Sequence, residues 1–411
     1  MKVNDINILI NNRRCFLDKD NNNRDIFIYH LTNVATINDT YPSVLLYFNN
    51  DIFQPINELV MSLCKLDKKM YTTNYILPCI TSVEINPVFF FVYNTDNYFH
   101  FLYDTIPYLI TFFHIRKTVT DLKLLMAYPN QQTRKIYTFV TDLLNLLNIT
   151  QNDIIIINNN TKYENIYIST SYTHDYYSTL PPRSEIYEVY KNLANICNKA
   201  HETKNFPKKI YISRRSWIHN NLSNIGTNYT LRRKLINEDL VVKELEEQGF
   251  IEIFTENMSM VDKILVFNNA DIIVGAIGGG LANAIFCTKK TKLIAIISPT
   301  FLDINDRVKY CFSSVDIYYF NDTHHVETTS FKKYMRICCK HKNIVGEIEK
   351  IYDDSLLVLY TDIEVVGWNA QNNYRQIILN KNEVECLDDG LNSLWSCDIN
   401  SLLILVKNLD C

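Results

Sequence analysis

A histidine and an aspartate near position 100 have the residue types and the spacing of a proton-transfer pair. Asn97, His100 and Asp104 are related as i, i+3 and i+7, so a helix through them would present all three on one face. A carboxylate one turn from a histidine orients the ring and raises its basicity, which suits general-base chemistry. The alternative is an ordinary polar stripe with an i, i+4 hydrogen bond. Pro107 limits or bends the helix.

Two adjacent arginines, Arg214 and Arg215, follow a strand-like run over 209–213. Ligands of α/β sheets bind at the carboxyl ends of the strands, and a guanidinium can hold a phosphate through two parallel hydrogen bonds. The alternative is a solvated dibasic pair. Three polar residues further along the chain are added as candidates: Arg233, Asn237 and Glu238. Asn237 also suits the N-cap of a following helix.

A glycine-rich turn lies between a strand-like run at 271–274 and a helix-like run at 281–286. The chain has nine glycines, and Gly275, Gly278, Gly279 and Gly280 are four of them. A turn of this kind exposes backbone N–H groups that hold phosphate. It is a poor dinucleotide fingerprint, because Asn283 stands where the third glycine belongs. The alternative is a tight turn that serves packing alone.

Alternating strand and helix patterns between residues 205 and 297 position these candidates and predict a parallel sheet covered by helices. The predicted strands there are 209–213, 250–254, 271–274 and 292–297, and the predicted helices are 237–248, 260–268 and 281–286. The first 200 residues also favour an α/β domain, with strands at 8–10, 43–48, 88–92, 122–126 and 153–157 and helices at 98–113 and 133–147. The C-terminal residues predict strands at 356–360 and 376–379 and a helix at 400–406. We therefore expect domains at 1–204 and 205–330, with a β-rich segment at 331–411 that ends in a helix.

The composition supports a folded enzyme-sized protein. At 411 residues, with 47% hydrophobic and 21% charged residues, the chain is long enough for two domains. A net charge of −4 gives no field that would hold nucleic acid. The sequence shows no signal peptide and no membrane-span pattern, which predicts a cytoplasmic protein. Eleven cysteines without a C-x-x-C pair indicate free thiols rather than a metal site or a disulfide framework.

The three constellations, in this order, resemble glycosyltransferase family 61. The family patterns are Asn-x-x-His-x-x-x-Asp-x-x-Pro, an ISRR…R…NE block and a VG-x-H-G-A-G-L-x-N block. Here they correspond to residues 97–107, to Ile212-Ser-Arg-Arg215 with Arg233 and Asn237-Glu238, and to Val274–Asn283. The resemblance spans roughly residues 90 to 300.

The resemblance implies an α/β, GT-B-like architecture with two facing Rossmann-like domains. It implies an inverting transfer from a nucleotide-sugar co-substrate, usually UDP-linked, to a glycan or glycoprotein acceptor, without an obligatory metal. His100 assisted by Asp104 would be the base, with Asp104 alone as second choice, and Asn97 would lie on the acceptor side. The donor-binding residues implied by position are Arg214, Arg215, Arg233, Asn237, Glu238, Gly278, Gly279, Gly280 and Asn283.

Two departures from the family pattern keep other interpretations open. Ile277 stands where many relatives carry histidine, which leaves room for a catalytically inactive sugar- or nucleotide-binding module. Asp262-Lys263 replace the Glu-Gln often found before the last strand. A nicotinamide-dependent oxidoreductase would need an acidic residue at the end of the next strand to hold the ribose. That strand ends in Ile297-Ser298-Pro299, which argues against this enzyme class.

Overall fold

The structure is a computed structural model, and it describes residues 7–8, 26, 28–37, 45–48, 51–52, 79–92, 95, 97–129, 134–173, 182–200, 205–215, 234–299, 311–326, 330–333, 335–362, 375–387 and 393–410. The chain divides into two compact units, Met1–Tyr190 and Lys191–Cys411. The three-part division at residues 204 and 330 stays a prediction.

The first unit contains a nine-stranded mixed sheet. Its strands are β1 (Asn7–Ile8), β2 (Ile28–Ile37), β3 (Leu45–Phe48), β4 (Asp51–Ile52), β5 (Ser82–Glu84), β6 (Val88–Phe90), β7 (Lys123–Met126), β8 (Ile154–Ile156) and β9 (Thr161–Ser169). The order is β4-β3-β2-β9-β6-β7-β8, with β1 paired to β2 and β5 to β9. The β9-β6-β7-β8 part is parallel, whereas β2 runs antiparallel to β9 and β3.

The helical segments of the first unit agree in part with the sequence pattern. They are α1 (Tyr98–His100), a π-helical turn (Phe101–Thr105), α2 (Tyr108–Arg116), α3 (Thr138–Leu146), a 3-10 turn (Gln151–Asp153) and α4 (Glu185–Ala200), the last continuing into the second unit. The predicted helix at 98–113 is therefore interrupted by one wide turn. The predictions did not include β2, β9 or α4, although β9 pairs with β2, β5 and β6 and so links the sheet's two halves.

The second unit begins with a five-stranded parallel sheet in the order β12-β10-β13-β14-β15. Its strands are β10 (Lys209–Ile212), β12 (Ile251–Ile253), β13 (Ile272–Ala276), β14 (Thr291–Ile296) and β15 (Val315–Phe320). The chain moves outward from β10 to β12 and then returns to the other side of β10 for β13. This reversal makes the β10/β13 boundary a topological switch point, where ligands bind outside the carboxyl ends of the strands.

Helices α5 (Glu238–Glu246) and α6 (Met260–Asn269) connect these strands. Gly249 ends the α5 segment with a φ of 82°, the left-handed conformation expected of a glycine stop signal. Ser259 caps α6 by accepting a hydrogen bond from the backbone N–H of Asp262. Short-range hydrogen bonding and backbone conformation therefore account for these two helix boundaries.

The C-terminal residues form two further sheets. The small one pairs β11 (Lys234–Leu235) and β16 (Thr323–His325) with β22 (Leu394–Cys397). The larger one is antiparallel and contains β17 (Arg336–Cys339), β18 (Ile344–Ile351), β19 (Ser355–Asp362), β20 (Arg375–Asn380) and β21 (Glu385–Cys386), with 3-10 turns at Lys340–Lys342 and Lys381–Glu383. Helix α7 (Ile399–Asp410) then packs Leu402 and Val406 into the core formed by the parallel sheet and α5. The chain's last residues thus complete the second unit's core.

Candidate functional site

Asn97, His100 and Asp104 lie on a short helical segment that follows the buried strand β6. The buried side chain of Asn97 caps this segment by accepting a hydrogen bond of 3.2 Å from the backbone N–H of His100. The predicted polar face is therefore present, and the first of its three residues is used to begin the helix. An acceptor-side role for Asn97 stays a prediction.

The helix widens into a π-helical turn directly after His100. The C=O of Phe101 accepts from the N–H of Ile106, five residues on, at 2.9 Å. The next carbonyl, that of Leu102, has Pro107 at the same separation, and proline has no N–H to donate. The hydroxyl of Tyr190, from α4, donates to the C=O of Leu102 instead. Pro107 therefore reshapes the helix without ending it, and a tyrosine distant in sequence supplies the lost hydrogen bond.

The side chains of His100 and Asp104 are in direct contact across this turn. Nδ1 of His100 lies 2.6 Å from Oδ2 of Asp104, whose side chain is fully buried, while the His100 side chain is 27% exposed. The hydroxyl of Thr173 donates to the other carboxylate oxygen, Oδ1, at 3.0 Å. A buried carboxylate held by a hydroxyl fixes both the ring orientation and the tautomer of its histidine. Because the carboxylate accepts the Nδ1 proton, the basic lone pair is at Nε2.

Thr173 belongs to a hydrogen-bonded segment that follows β9. The hydroxyl of Thr111, from α2, lies 2.9 Å from Oγ of Ser169 and 2.8 Å from the phenolic oxygen of Tyr172. Burial raises the pKa of Tyr172 to about 12, so this phenol stays protonated and available as a donor. The Asp104 carboxylate is thus oriented by side chains that are themselves fixed.

In the second unit, Arg214 follows β10 and the glycine turn follows β13, so both lie at the switch point of the parallel sheet. A Cβ atom built on Gly278 would clash with Nη1 of Arg214. Gly278 itself is extended, with a φ of 167°, so its backbone conformation is open to any residue. The absence of a side chain at position 278 therefore serves the close approach of the arginine.

The other glycines of the turn differ in what surrounds them. A Cβ on Gly275 would lie 3.0 Å from Cβ of Ile212, and one on Gly280 would lie 2.8 Å from Cγ2 of the same residue. These two glycines let the turn pack against β10. Gly279 has nothing within 4 Å of its Cβ position. Packing therefore accounts for Gly275 and Gly280 and leaves Gly279 without a steric partner.

The segment after the turn is a 3-10 helix, Gly279–Phe286, where an α-helix from Leu281 was predicted. The N–H of Leu281 donates to the C=O of Gly278 at 3.1 Å, a three-residue separation. Asn283, fully buried, donates from Nδ2 to the C=O of Gly280 at 2.9 Å. Its amide therefore stabilises the tight helix that carries the turn.

The guanidinium of Arg215 is paired with two carboxylates. Its Nε and Nη2 donate to the two oxygens of Glu252 at 2.7 and 2.8 Å, and Nη1 pairs with Asp239. The hydrogen bond to Glu252 is the largest cause of the raised pKa of this guanidinium. A donor-binding role for Arg215 stays a prediction, but its observed contacts join β10 to β12 and α5.

Glu238 and Asn237 occupy supporting positions. Oε1 of the buried Glu238 accepts from the backbone N–H of Arg214 at 2.8 Å and from the hydroxyl of Tyr211 at 3.0 Å. Asn237 bonds Cys397 on β22 in both directions, with Nδ2 donating at 2.8 Å and Oδ1 accepting at 3.2 Å. Its side chain makes no cap hydrogen bond. Arg233 lies outside the described residues.

Ile277 and Lys263, which both depart from the family pattern, are buried. Ile277 is 1% exposed and belongs to the hydrophobic interior. Lys263 is 8% exposed on α6. Its positive charge and that of Arg214 both act to lower the pKa of Glu256. The sequence patterns did not single out Glu256, Thr173 or Tyr190, because each acts on a residue distant in sequence or in another element.

Comparison with known families assigns the region that contains both constellations. Residues 98–294 match the sequence model of the Glycosyltransferase 61 family. The match includes the His100–Asp104 pair and extends through the glycine turn into β14. No curated protein matches the chain significantly. Among the described residues, no helix combines the length and the apolar character of a membrane-crossing segment.

Proposed function

Since the chain carries a family 61 glycosyltransferase domain and is a glycosyltransferase, we propose that it transfers a sugar with inversion from a nucleoside-diphosphate donor, UDP-linked in the first instance, to a hydroxyl of a glycan or glycoprotein. The observation that carries the proposal is the contact between Arg214 and Gly278 at the switch point of the parallel sheet. We also propose the GT-B-like architecture with two Rossmann-like domains that the resemblance implies.

The donor diphosphate is assigned to Arg214 and to the backbone of the glycine turn. A guanidinium and backbone N–H groups stabilise negative charge that grows on the leaving group in the transition state. Glu238 would act as a positioning residue, because its carboxylate holds the backbone N–H of Arg214 at 2.8 Å. Arg215, paired with Glu252 and Asp239, would support the same strand end.

His100 is assigned as the general base that takes the proton of the acceptor hydroxyl. The acceptor oxygen attacks the anomeric carbon from the face opposite the diphosphate and forms the new glycosidic bond. The bond between the anomeric carbon and the phosphate oxygen breaks, and its electron pair leaves with the nucleoside diphosphate. The acceptor proton passes to Nε2 of His100, and the resulting imidazolium is stabilised by the buried Asp104 carboxylate at 2.6 Å. This step uses no metal, so we propose metal-independent transfer.

A thermal-shift titration tests the donor assignment. The wild-type protein and Arg214→Ala would be titrated with UDP, GDP, CMP, dTDP and NAD, each with and without EDTA. We expect one nucleoside diphosphate to stabilise the wild type in EDTA and to lose most of that effect in the variant. Stabilisation by NAD alone would support an oxidoreductase instead. A protein that binds nucleotide but forms no product with any donor would be an inactive binding module, the interpretation that Ile277 keeps open.

Proton NMR of the reaction product tests the stereochemistry. The coupling constant at the new anomeric centre distinguishes inversion from retention. A retained configuration would contradict the single displacement proposed for His100, because retention needs two successive displacements.

A further inference from the structure

Glu256 lies next to the proposed diphosphate site but has no role in the mechanism above. It belongs to the 3-10 turn Thr255–Asn257, which follows β12, the neighbour of β10 in the parallel sheet. Oγ1 of Thr255 is 3.4 Å from the position that a Cβ would take on Gly280. The turn that carries Glu256 therefore borders the glycine turn.

The carboxylate of Glu256 has unused capacity to accept hydrogen bonds. Its Oε1 is buried and has no hydrogen-bond partner in the described part of the chain. Its Oε2 accepts from the hydroxyl of Thr255 at 3.5 Å, the upper limit of a hydrogen bond. A buried acceptor left without a donor costs free energy. The terminal torsion of a glutamate is soft, so either oxygen can turn toward an incoming donor.

Charge decides which kind of group this carboxylate can receive. Arg214, assigned to phosphate, is close enough for its charge to act on Glu256. A phosphate would be repelled by the carboxylate, whereas a hydroxyl pair next to the phosphate would donate to it. In a nucleoside diphosphate the ribose is the group that follows the α-phosphate. An acidic residue at the end of a strand beside a phosphate-binding turn is a general means of holding ribose hydroxyls.

We propose that Glu256 accepts hydrogen bonds from the ribose hydroxyls of the donor nucleotide and makes the site select ribonucleotides over deoxyribonucleotides. This inference rests on the proposed donor site at Arg214 and Gly278. It adds a recognition residue from β12 to contacts that otherwise come from β10 and β13.

Calorimetric titration with matched nucleotides tests the inference. The ligands are UDP, 2′-deoxy-UDP and 2′,3′-dideoxy-UDP, or the same series of whichever nucleoside diphosphate binds the wild type best. We expect the wild type to prefer the ribonucleotide over the dideoxynucleotide by on the order of 10- to 100-fold, the range for hydrogen bonds to a charged group. In Glu256→Gln this ratio should fall below about threefold through weaker ribonucleotide binding, with dideoxynucleotide affinity unchanged.

Matched variants separate the possible outcomes. Glu246→Gln removes an exposed carboxylate at the end of α5 and should keep the wild-type ratio. Glu256→Asp keeps the charge but shortens the reach, and it replaces Glu256→Gln if that variant does not fold. An unchanged ratio in the Glu256 variants, with binding still dependent on Arg214, would overturn this inference alone. If the wild type binds no nucleoside diphosphate, the donor-site proposal is wrong and this inference falls with it.

Discussion

Nη1 of Arg214 lies so close to Gly278 that a Cβ atom on that residue would clash with it. The two residues are 64 positions apart in the chain (278 − 214), and they meet because β10 and β13 are neighbours in the sheet. The glycine is required by the arginine's position and by no unusual backbone angle. This relationship turns two separate sequence patterns into one proposed phosphate site.

The first prediction concerns this contact. Gly278→Ala should displace the Arg214 guanidinium and weaken nucleoside-diphosphate binding by roughly tenfold or more, as for a lost charge-assisted hydrogen bond. Calorimetric titration with UDP measures the change. Arg214→Ala combined with Gly278→Ala is the control: it should bind UDP no more weakly than Arg214→Ala alone, because the added methyl group acts through the guanidinium. Equal affinity in Gly278→Ala and the wild type would remove the contact from the donor site.

The second prediction distinguishes the two arginines. Arg214→Ala should weaken donor binding by about 1.5–3 kcal/mol, as for a lost charge-assisted hydrogen bond. Arg215→Ala should instead lower the free energy of unfolding by about 1–2 kcal/mol, because it leaves the Glu252 carboxylate without its bidentate partner. Calorimetry and urea denaturation measure the two quantities. The reverse pattern would show that Arg215 is the phosphate ligand.

The third prediction concerns the proton acceptor. His100→Gln and Asp104→Asn should lower kcat by roughly 10²- to 10⁴-fold, the usual contribution of a general base, with a smaller effect on the KM for the donor. Steady-state transfer assays with the donor found by titration measure both constants. His324→Gln, at an exposed position on β16, is the control. Full activity in either site variant would end the base assignment.

The fourth prediction assigns Thr173 as a positioning residue for Asp104. Thr173→Val removes the 3.0 Å hydrogen bond to Oδ1 and should lower kcat by about tenfold while KM stays constant. Thr173→Ser keeps the hydroxyl and should restore most of the activity. A purely structural role would make the two variants equally active once their thermal stabilities are matched.

The fifth prediction concerns pH and stability at Glu256. Burial is the main cause that raises the pKa of this carboxyl above its ordinary value of 4.5, against the opposing effects of its own backbone N–H and of the charges on Lys263 and Arg214. The folded state therefore binds the proton more tightly than the unfolded state, so the ionised carboxylate destabilises the fold as pH rises through the raised pKa. Glu256→Gln should be more stable than the wild type at pH 7, with the difference vanishing below about pH 4.5. Melting temperatures between pH 4 and 8 measure it, and a difference independent of pH would contradict the carboxyl as its source.

The sequence determined the elements of the second unit because local rules govern them. Apolar runs located β10, β12, β13 and β14 to within one or two residues. Ser259 and Gly249 stand at helix ends, where short-range hydrogen bonding and backbone conformation favour them. The spacing of His100 and Asp104 also predicted their hydrogen bond, because side chains four residues apart on a helix are neighbours.

Tertiary structure decided which distant residues contact one another, and the sequence patterns do not contain this information. The sheet order places Arg214 against Gly278 and Glu256 beside the glycine turn. It also lets Arg215 donate a hydrogen bond to Glu252. Thr173 reaches Asp104 across 69 residues, and Tyr190 reaches the C=O of Leu102 across 88. These partners come from different strands and helices, so no periodicity along the chain signals them. The sequence by itself determined which residues could do the chemistry, whereas packing between distant elements decided how each of them is held.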